Sequence, residues 1–416
     1  VIKTVLALVG CQGGKNRIAI VAELFLEENR QLLDTFESGL ITCVDSWDIL
    51  GKILVQTSRT SGLAVVYGEM LSFDGCELYF HETDWNGVRF YDALYHFHDG
   101  VPMGVRRQNG ELFIRPPEDT VLEEGDEILI LAEDDSTIAF EPEPVIAPRD
   151  LAYVHKELHK RSERELVLGW HSIAKIVVGE YADYLLEGSS IDIVVPHPSQ
   201  KVIADVEMLR LSNPSLHINM LRKNPMSLED LWSLNPFGYD NVIILSQSEN
   251  DPSPERTDSE TMVILLLLRK ILKDSALMEK QTKIITQVLN SENQELITQT
   301  NVDDFIISNK LITMIFAQLS EEPRIKQLYD DIFQEAGSEI YLKPARLYFD
   351  EFPTKVRFAD LMGQVIKRGE VCLGYRLGEH AAEPEANFGV RLNPPKDEEI
   401  SLDHDDSVVV LAEDEL

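Results

Sequence analysis

The chain has 416 residues, 44% of them hydrophobic, and a formal net charge of −34 at neutral pH. That length leaves room for about two to four ordinary domains. The acidic excess argues against a nucleic-acid surface, which would need clustered basic side chains; it suits a cation-binding protein, a proteome adapted to high salt or, more blandly, a hydrated acidic surface.

Four cysteines, Cys11, Cys43, Cys76 and Cys372, lie far apart with no C-x-x-C pair. That is neither a zinc site nor a disulfide framework, and a reducing, cytosol-like compartment is expected. The longest apolar run, Met262 to Leu268, is seven residues and cannot span a bilayer. No signal peptide is visible.

The chain opens on Val inside an apolar, helix-like stretch (VIKTVLALVG), the look of a fragment. Gly10-Cys11-Gln12-Gly13-Gly14-Lys15-Asn16 has the outline of a phosphate-binding loop, but it is one residue short and lacks Ser or Thr after Lys15. It also follows a helix rather than a strand, so an ordinary loop is expected. Residues 46–60 and a stretch from Leu63 carry apolar positions at i, i+3, i+4 and i+7 around a Ser61-Gly62 turn, which marks a pair of one-sided helices. Residues 77–133 read as a small β-rich unit with turns at 86–87, 108–110 and 124–126. Its last strand, 128–131, is wholly apolar and expected to be buried. From Glu141 to Pro148 the chain is a proline-punctuated, extended linker.

Farther on, 166–169, 191–195, 216–220, 240–245 and 282–288 read as strands. Between them lie an amphipathic stretch to Tyr184, a short helix at 227–234 with Ser227 and Asp230 at capping-box spacing, an apolar helix at 259–273 and a helix after Ser291. Strands alternating with helices at this spacing indicate a parallel, Rossmann-like sheet. A second helical pair, 308–322 and 325–332, and a second β-rich unit from 339, with a surface loop at 378–387, complete the chain.

The second half echoes the first. Leu131-Ala132-Glu133-Asp134 recurs as Leu411-Ala412-Glu413-Asp414, and Glu77-Leu78-Tyr79-Phe80 as Glu339-Ile340-Tyr341-Leu342. Val88-Arg89-Phe90 recurs as Val356-Arg357-Phe358, and Arg115-Pro116-Pro117 has a looser partner in Asn393-Pro394-Pro395. So long a period is a duplicated domain rather than a solenoid. The helical pairs align residue for residue, Ile53 with Ile315 and Tyr67 with Tyr329, and the apolar stripes of the two arms are expected to clasp. Residues 1–45 answer only to the later part of the second copy's sheet, and nothing answers to 165–260. A sheet stripped of its first strands would expose apolar edges, so the first copy is read as N-terminally incomplete, with roughly 100 further residues upstream in the parent polypeptide. The expected division is 1–76 (end of a first Rossmann-like lobe plus arm), 77–140 (first small lobe), 141–164 (linker), 165–338 (second Rossmann-like lobe plus arm) and 339–416 (second small lobe).

The segment GVPMGVRRQNGELFIRPPEDTVLEEGDEILILAEDDS resembles the C-terminal lobe of RCK (TrkA-C type) regulatory domains. Two such lobes in tandem, LAEDD closing the first, and the segment LALVGCQGGKNRIAIVAEL more closely resemble the CASTOR/POLLUX family of ion channels, over nearly the whole chain. The resemblance implies an α/β fold of tandem Rossmann-like RCK domains, each with a helix-turn-helix arm and a small α+β (TrkA-C-like) C-terminal lobe. It implies a non-enzymatic role: a soluble, cytosol-facing gating ring, tetrameric and built of intrachain RCK pairs, that senses Ca²⁺ and acts on an upstream membrane pore that passes cations. The alternative is a nucleotide-responsive TrkA-type regulatory subunit of a potassium uptake system.

No nucleotide is expected in the second copy. Its first strand ends Leu168-Gly169-Trp170-His171-Ser172, with one glycine of G-x-G-x-x-G, and its second ends Val195-Pro196-His197 without a carboxylate for a ribose. The broken glycine pattern and the lack of a convergent acid–base set argue against an enzyme. His155 with His159, and His96 with His98 and Asp99, lack complete ligand sets. Calcium takes about six to eight oxygens, and without an EF-hand loop the candidates are discontinuous. At the hinge between arm and β-lobe they are Glu69, Asp74 and Glu77 in copy one, and Asp330, Asp331, Glu335 and Glu339 in copy two. The acidic turns 123–126, 133–135 and 403–406 are alternatives. An ion at the hinge could lock the angle between arm and lobe.

Overall fold

The computed structural model describes residues 1–11, 18–34, 40–73, 75–154, 156, 159–171, 173–245, 254–274, 282–293, 304–334 and 337–415. They form two compact units, and each draws on both halves of the chain: Val1–Ala64 with Lys160–Pro323, and Val65–His159 with Arg324–Leu416.

The first unit holds a six-stranded sheet in the order Asp304–Ile307, Lys283–Val288, Asn241–Ile244, Arg164–Leu168, Ser190–Val194, His217–Leu221. All its neighbours are parallel. The first strand of the second copy is therefore central, with the chain winding out to either side, a Rossmann-like arrangement. Helices cover both faces, which is why the strands are near-continuous apolar runs: Leu166, Val167, Leu168, Val242, Ile243 and Ile244 are all buried. Helix Gln200–Ser212 escaped the sequence reading. Its buried stripe is only Val202, Val206 and Leu209, while Met208 and Leu211 are exposed, so the period is blurred. The Ser227 hydroxyl does cap helix Leu228–Ser233 by accepting from the Asp230 amide, but the Asp230 carboxylate turns to the Asn224 amide instead of closing a box. After Ser291 there is a turn of 3₁₀ helix, Ser291–Asn293; the rest of the helix expected there, like most of the loop at 10–16, lies outside the described residues.

From copy one, strand Ile20–Glu23 pairs in parallel with Ile41–Val44, matching the pairing of Lys283–Val288 with Asp304–Ile307. Helix Ser46–Arg59 follows, started by the Asp45 carboxylate on the amides of Trp47 and Asp48. This helix joins the second copy's layer. Gly51 lies where a Cβ would meet Ile176 Cγ2 at 2.6 Å. The Ser58 and Tyr181 hydroxyls share a hydrogen bond, Arg59 pairs with Glu163, and Ile53, Leu54 and Val55 are fully buried.

The second unit contains two four-stranded antiparallel sheets of identical order: Glu77–Glu82, Glu127–Ala132, Val101–Arg106, Leu112–Ile114, and Glu339–Pro344, Ser407–Ala412, Val371–Arg376, Val390–Leu392. The strand that ends in the repeated Leu-Ala dipeptide lies second in each sheet and is buried, as its apolar run requires. Each sheet has a bulge at one place, between Pro102 and Gly104 and between Cys372 and Gly374. A Cβ there would lie 2.7 Å from the Phe113 carbonyl oxygen and 2.1 Å from that of Arg391, so both positions need glycine. The second helices of the two arms meet in this unit, with the Tyr67 ring 5.5 Å from Phe333.

The linker is extended but docked. The Glu141 amide donates to the His96 carbonyl and that of Val145 to Tyr95, while His96 Nδ1 bonds the Glu141 carbonyl and its ring stacks on Phe140. Arg149 reaches Asp360 with its amide, Nε and Nη2 at 2.7, 2.8 and 2.7 Å. Arg357 binds the same buried carboxylate. Burial alone would push Asp360 up, but the hydrogen bonds from Arg357 and Arg149 outweigh it and hold the carboxyl well below its usual range. The equivalent pair in copy one, Arg89 and Asp92, is half exposed. Among the described residues no helix is long and apolar enough to cross a membrane.

Two outcomes follow for chemical denaturation. Gly104→Ala and Gly374→Ala should each cost about 1–3 kcal/mol by forcing strands apart, the latter more. Asp360→Asn should cost about 1–3 kcal/mol, since it weakens charge-assisted hydrogen bonds but leaves both arginines partly in solvent, with Asp92→Asn costing about 0–1 kcal/mol. The Asp360 contribution is present above the unfolded carboxylate pKa and lost as pH falls below it.

Candidate ligand-sensing hinge

The described hinge carboxylates all belong to the second unit; Asp74 and Glu335 lie outside the described residues. Glu69 is in the last turn of helix Leu63–Leu71. Its carboxylate accepts from Asn387 Nδ2 at 2.6 Å, and burial, only partly offset by that amide, raises it above the usual carboxylate range. The expected surface loop is thus also a hinge contact: Asn387 and Phe388 have φ of 50° and 53°, and this backbone carries the amide to Glu69. Its equivalent in copy two is Asp331, 262 residues on (69 to 331). Burial raises Asp331 as well, with the Ser338 amide and nearby Arg115 opposing.

Glu77 and Glu339 open equivalent strands, opposite Ala132 and Ala412. Glu77 is half-buried and raised by desolvation, with the Tyr79 hydroxyl opposing and Asp134 and Asp135 adding to the rise. Glu339 is buried; burial first and then its charge push the hydroxyls of Tyr67 and Tyr341 up. Asp330 forms an i,i+4 ion pair with Lys326. The structure thus places Glu69 and Asp331 at matching hinge positions but does not gather the described carboxylates. Among the described residues no three His, Cys, Asp or Glu side chains are grouped to hold a metal ion.

The acidic turns are committed to backbone amides. Asp126 accepts from the Glu123 amide and Asp406 from the amides of Asp403 and Gly378. Hydrogen bonds from Ser136 hold Asp134 low.

Residues outside the hinge set tie the two small lobes together. Asn393 takes φ 45° and Arg115 φ 46°, each just before its Pro-Pro pair. Asn393 accepts from the Gly100 amide at 3.1 Å and donates to Asp99. Buried Lys396 donates to the Gly100 carbonyl at 2.8 Å; burial lowers it to about 8 against the pull of Asp99. Arg115 donates to the Gly369 carbonyl at 2.7 Å and pairs with Glu413. The Pro-Pro echo was the only sequence signal for these cross-lobe contacts.

In the first unit, the turn after strand Arg164–Leu168 takes the left-handed Gly169, φ 103°, and then buries Trp170. His171 Nε2 lies 3.0 Å from Gln287 Oε1, and burial lowers the imidazole to about 4. Where a dinucleotide fold brings bare backbone to a pyrophosphate, this chain packs two large side chains.

A family model described as Castor and Pollux, part of voltage-gated ion channel, matches residues 47–147. The ion channel CASTOR of Lotus japonicus is 28% identical over 429 residues, covering 94% of this chain and 49% of its own. The probable ion channel POLLUX of Oryza sativa subsp. japonica is 28% identical over 411 residues, covering 90% of this chain and 42% of its own. The chain spans about half the length of the curated relatives it matches. The human SLO3 gating ring shares the fold, with a TM-score of 0.70 at 13% identity over 99% of this chain and 84% of that one.

Because burial raises Glu69, its share of stability is full below the unfolded pKa and is lost as pH rises through the folded one. Glu69→Gln keeps the acceptor for Asn387 and should raise the melting temperature near neutral pH, with the gain vanishing below about pH 4, read by thermal denaturation across pH.

Proposed function

We propose, from the premise that this chain is a homologue of the CASTOR/POLLUX ion channels, that it is the regulatory gating-ring module of a cation channel and converts ligand binding into pore opening. The observation that carries this reading is the match to CASTOR along 94% of the chain, which takes in both Rossmann-like parts and both small lobes. The fold of a gating ring over almost the full length is consistent with it. The role is regulatory rather than enzymatic, on the cytosolic side of a membrane, in a ring of four copies around an upstream pore.

The finer proposal is that Ca²⁺ is the ligand and the hinge its point of action. What supports it is that two equivalent hinge carboxylates, Glu69 and Asp331, are held in surroundings that penalise their charge. A cation would relieve that penalty. The described residues supply only part of a calcium shell, since no three of them are grouped. A hinge site acts by differential affinity: whichever angle between arm helix and lobe strand binds the ligand better gains population. Against the nucleotide-responsive alternative stand the buried Trp170 and the partly buried His171 at the first turn of the second copy.

Calorimetry on the 416-residue chain should register Ca²⁺ binding, weakened about tenfold, or ~1.4 kcal/mol, by Glu69→Gln. No heat at millimolar Ca²⁺ would remove calcium and leave the kinship standing. Heat on adding an adenine nucleotide instead would favour the potassium-uptake reading.

A further inference from the structure

We propose that Glu165 is a proton-operated latch for the Ser46–Arg59 helix: carrying a proton it lets the helix seat on the second Rossmann-like sheet, and ionised it loosens that seat.

Glu165 is the second residue of the central strand Arg164–Leu168 and only 1% exposed. One carboxyl oxygen accepts from Asn241 Nδ2 at 3.1 Å, and the other is buried with no hydrogen-bond partner among the described residues. A buried carboxylate with one neutral donor is poorly compensated, whereas a carboxylic acid leaves only one weak polar group unmatched.

The groups around it do not reverse this. Glu163, two residues back, adds a second negative charge and holds Arg59 at 3.1 Å, so that guanidinium is already shared. Just before the next strand, Asp240 is nearby, itself bonded to Arg161 and to the Arg164 amide. Tyr181 faces it from helix Ala174–Tyr184, fully buried and bonded to the Ser58 hydroxyl. Lys283, from the strand beyond, gives its amine to the Arg59 carbonyl. Burial chiefly, then Glu163, drives the Glu165 carboxyl up against the opposing pull of Asn241 and Arg59.

Ser58 and Arg59 form the last turn of the seated helix. A charge on Glu165 would therefore develop beside the negative end of its dipole, next to the side chains that fasten it. Residues 60–62 join this helix to the one that carries Glu69, which gives the proton a covalent route to the hinge.

The sign is set by linkage. The unfolded chain releases this proton above about pH 4.3 while the folded chain keeps it. The stabilisation is full below that pH, and each further unit lowers the folded-to-unfolded ratio about tenfold until the folded group titrates.

The test is the unfolding equilibrium of the full chain against Glu165→Gln, an isostere that keeps the acceptor for Asn241, from about pH 5 to about pH 9. The expected result is that the wild type loses stability relative to the variant as pH rises from about 5, by about tenfold per unit until the folded carboxyl titrates; a ratio independent of pH overturns the latch. Hydrogen exchange should show the loss concentrated in residues 46–59 and 174–184, and an even loss across the unit refutes the coupling to the helix. Should the variant fold poorly, infrared spectra of the wild type decide the matter. A protonated-carboxyl band at neutral pH that persists in Asp240→Asn and in Glu69→Gln supports the proposal, and its absence from the wild type overturns it.

Discussion

The burial of the Ser46–Arg59 helix is the contact on which the first unit depends. This helix belongs in sequence to the first copy, yet its apolar face is covered by the helix and strands of the second. Ile53, Leu54 and Val55 are wholly buried, and Gly51 lets the backbone come close to Ile176. Its last turn adds polar fastenings, Ser58 to Tyr181 and Arg59 to Glu163. An apolar stripe supplied by one copy and covered by another makes the copies interdependent: neither has a complete core alone.

The second unit shows what duplication leaves free to change. Both small lobes keep strand order, the bulge and its glycine, because backbone sterics allow no substitute. Side chains at matched positions have diverged. The Arg89–Asp92 pair is half exposed, while Arg357–Asp360 is buried and shared with Arg149 of the linker. Asn393 and Arg115 have nearly the same backbone torsion, but one hydrogen-bonds as a neutral amide and the other reaches a carbonyl and a carboxylate as a cation. Two lobes with one backbone plan thus carry different electrostatics at matched positions.

Much of the fold was legible. The unbroken apolar run of 128–131 and the strand–helix spacing of 165–288 are direct consequences of burial, on both faces of the strand in the first case. Helix Gln200–Ser212 was missed because Met208 and Leu211 break its period from the outside. The hinge was less legible. Glu69 and Asp331 were found through the repeat, but their partner Asn387 lies in a loop whose left-handed residues have no fixed signature. Asp74 and Glu335 lie outside the described residues, and the remaining hinge acids are dispersed among Lys326, Tyr79 and the strand starts.

By itself the sequence determined the repeat, the Rossmann-like sheet with its small β-rich lobes, and the lack of a glycine fingerprint, since each is carried by residues near one another in the chain. Only the tertiary structure decided which copy's helix fills which layer, that Asp360 holds two arginines, and that Glu165 is buried with one neutral donor. Those depend on side chains brought together from distant positions. Desolvation, which sets their charge states, exists only once the chain has closed around them.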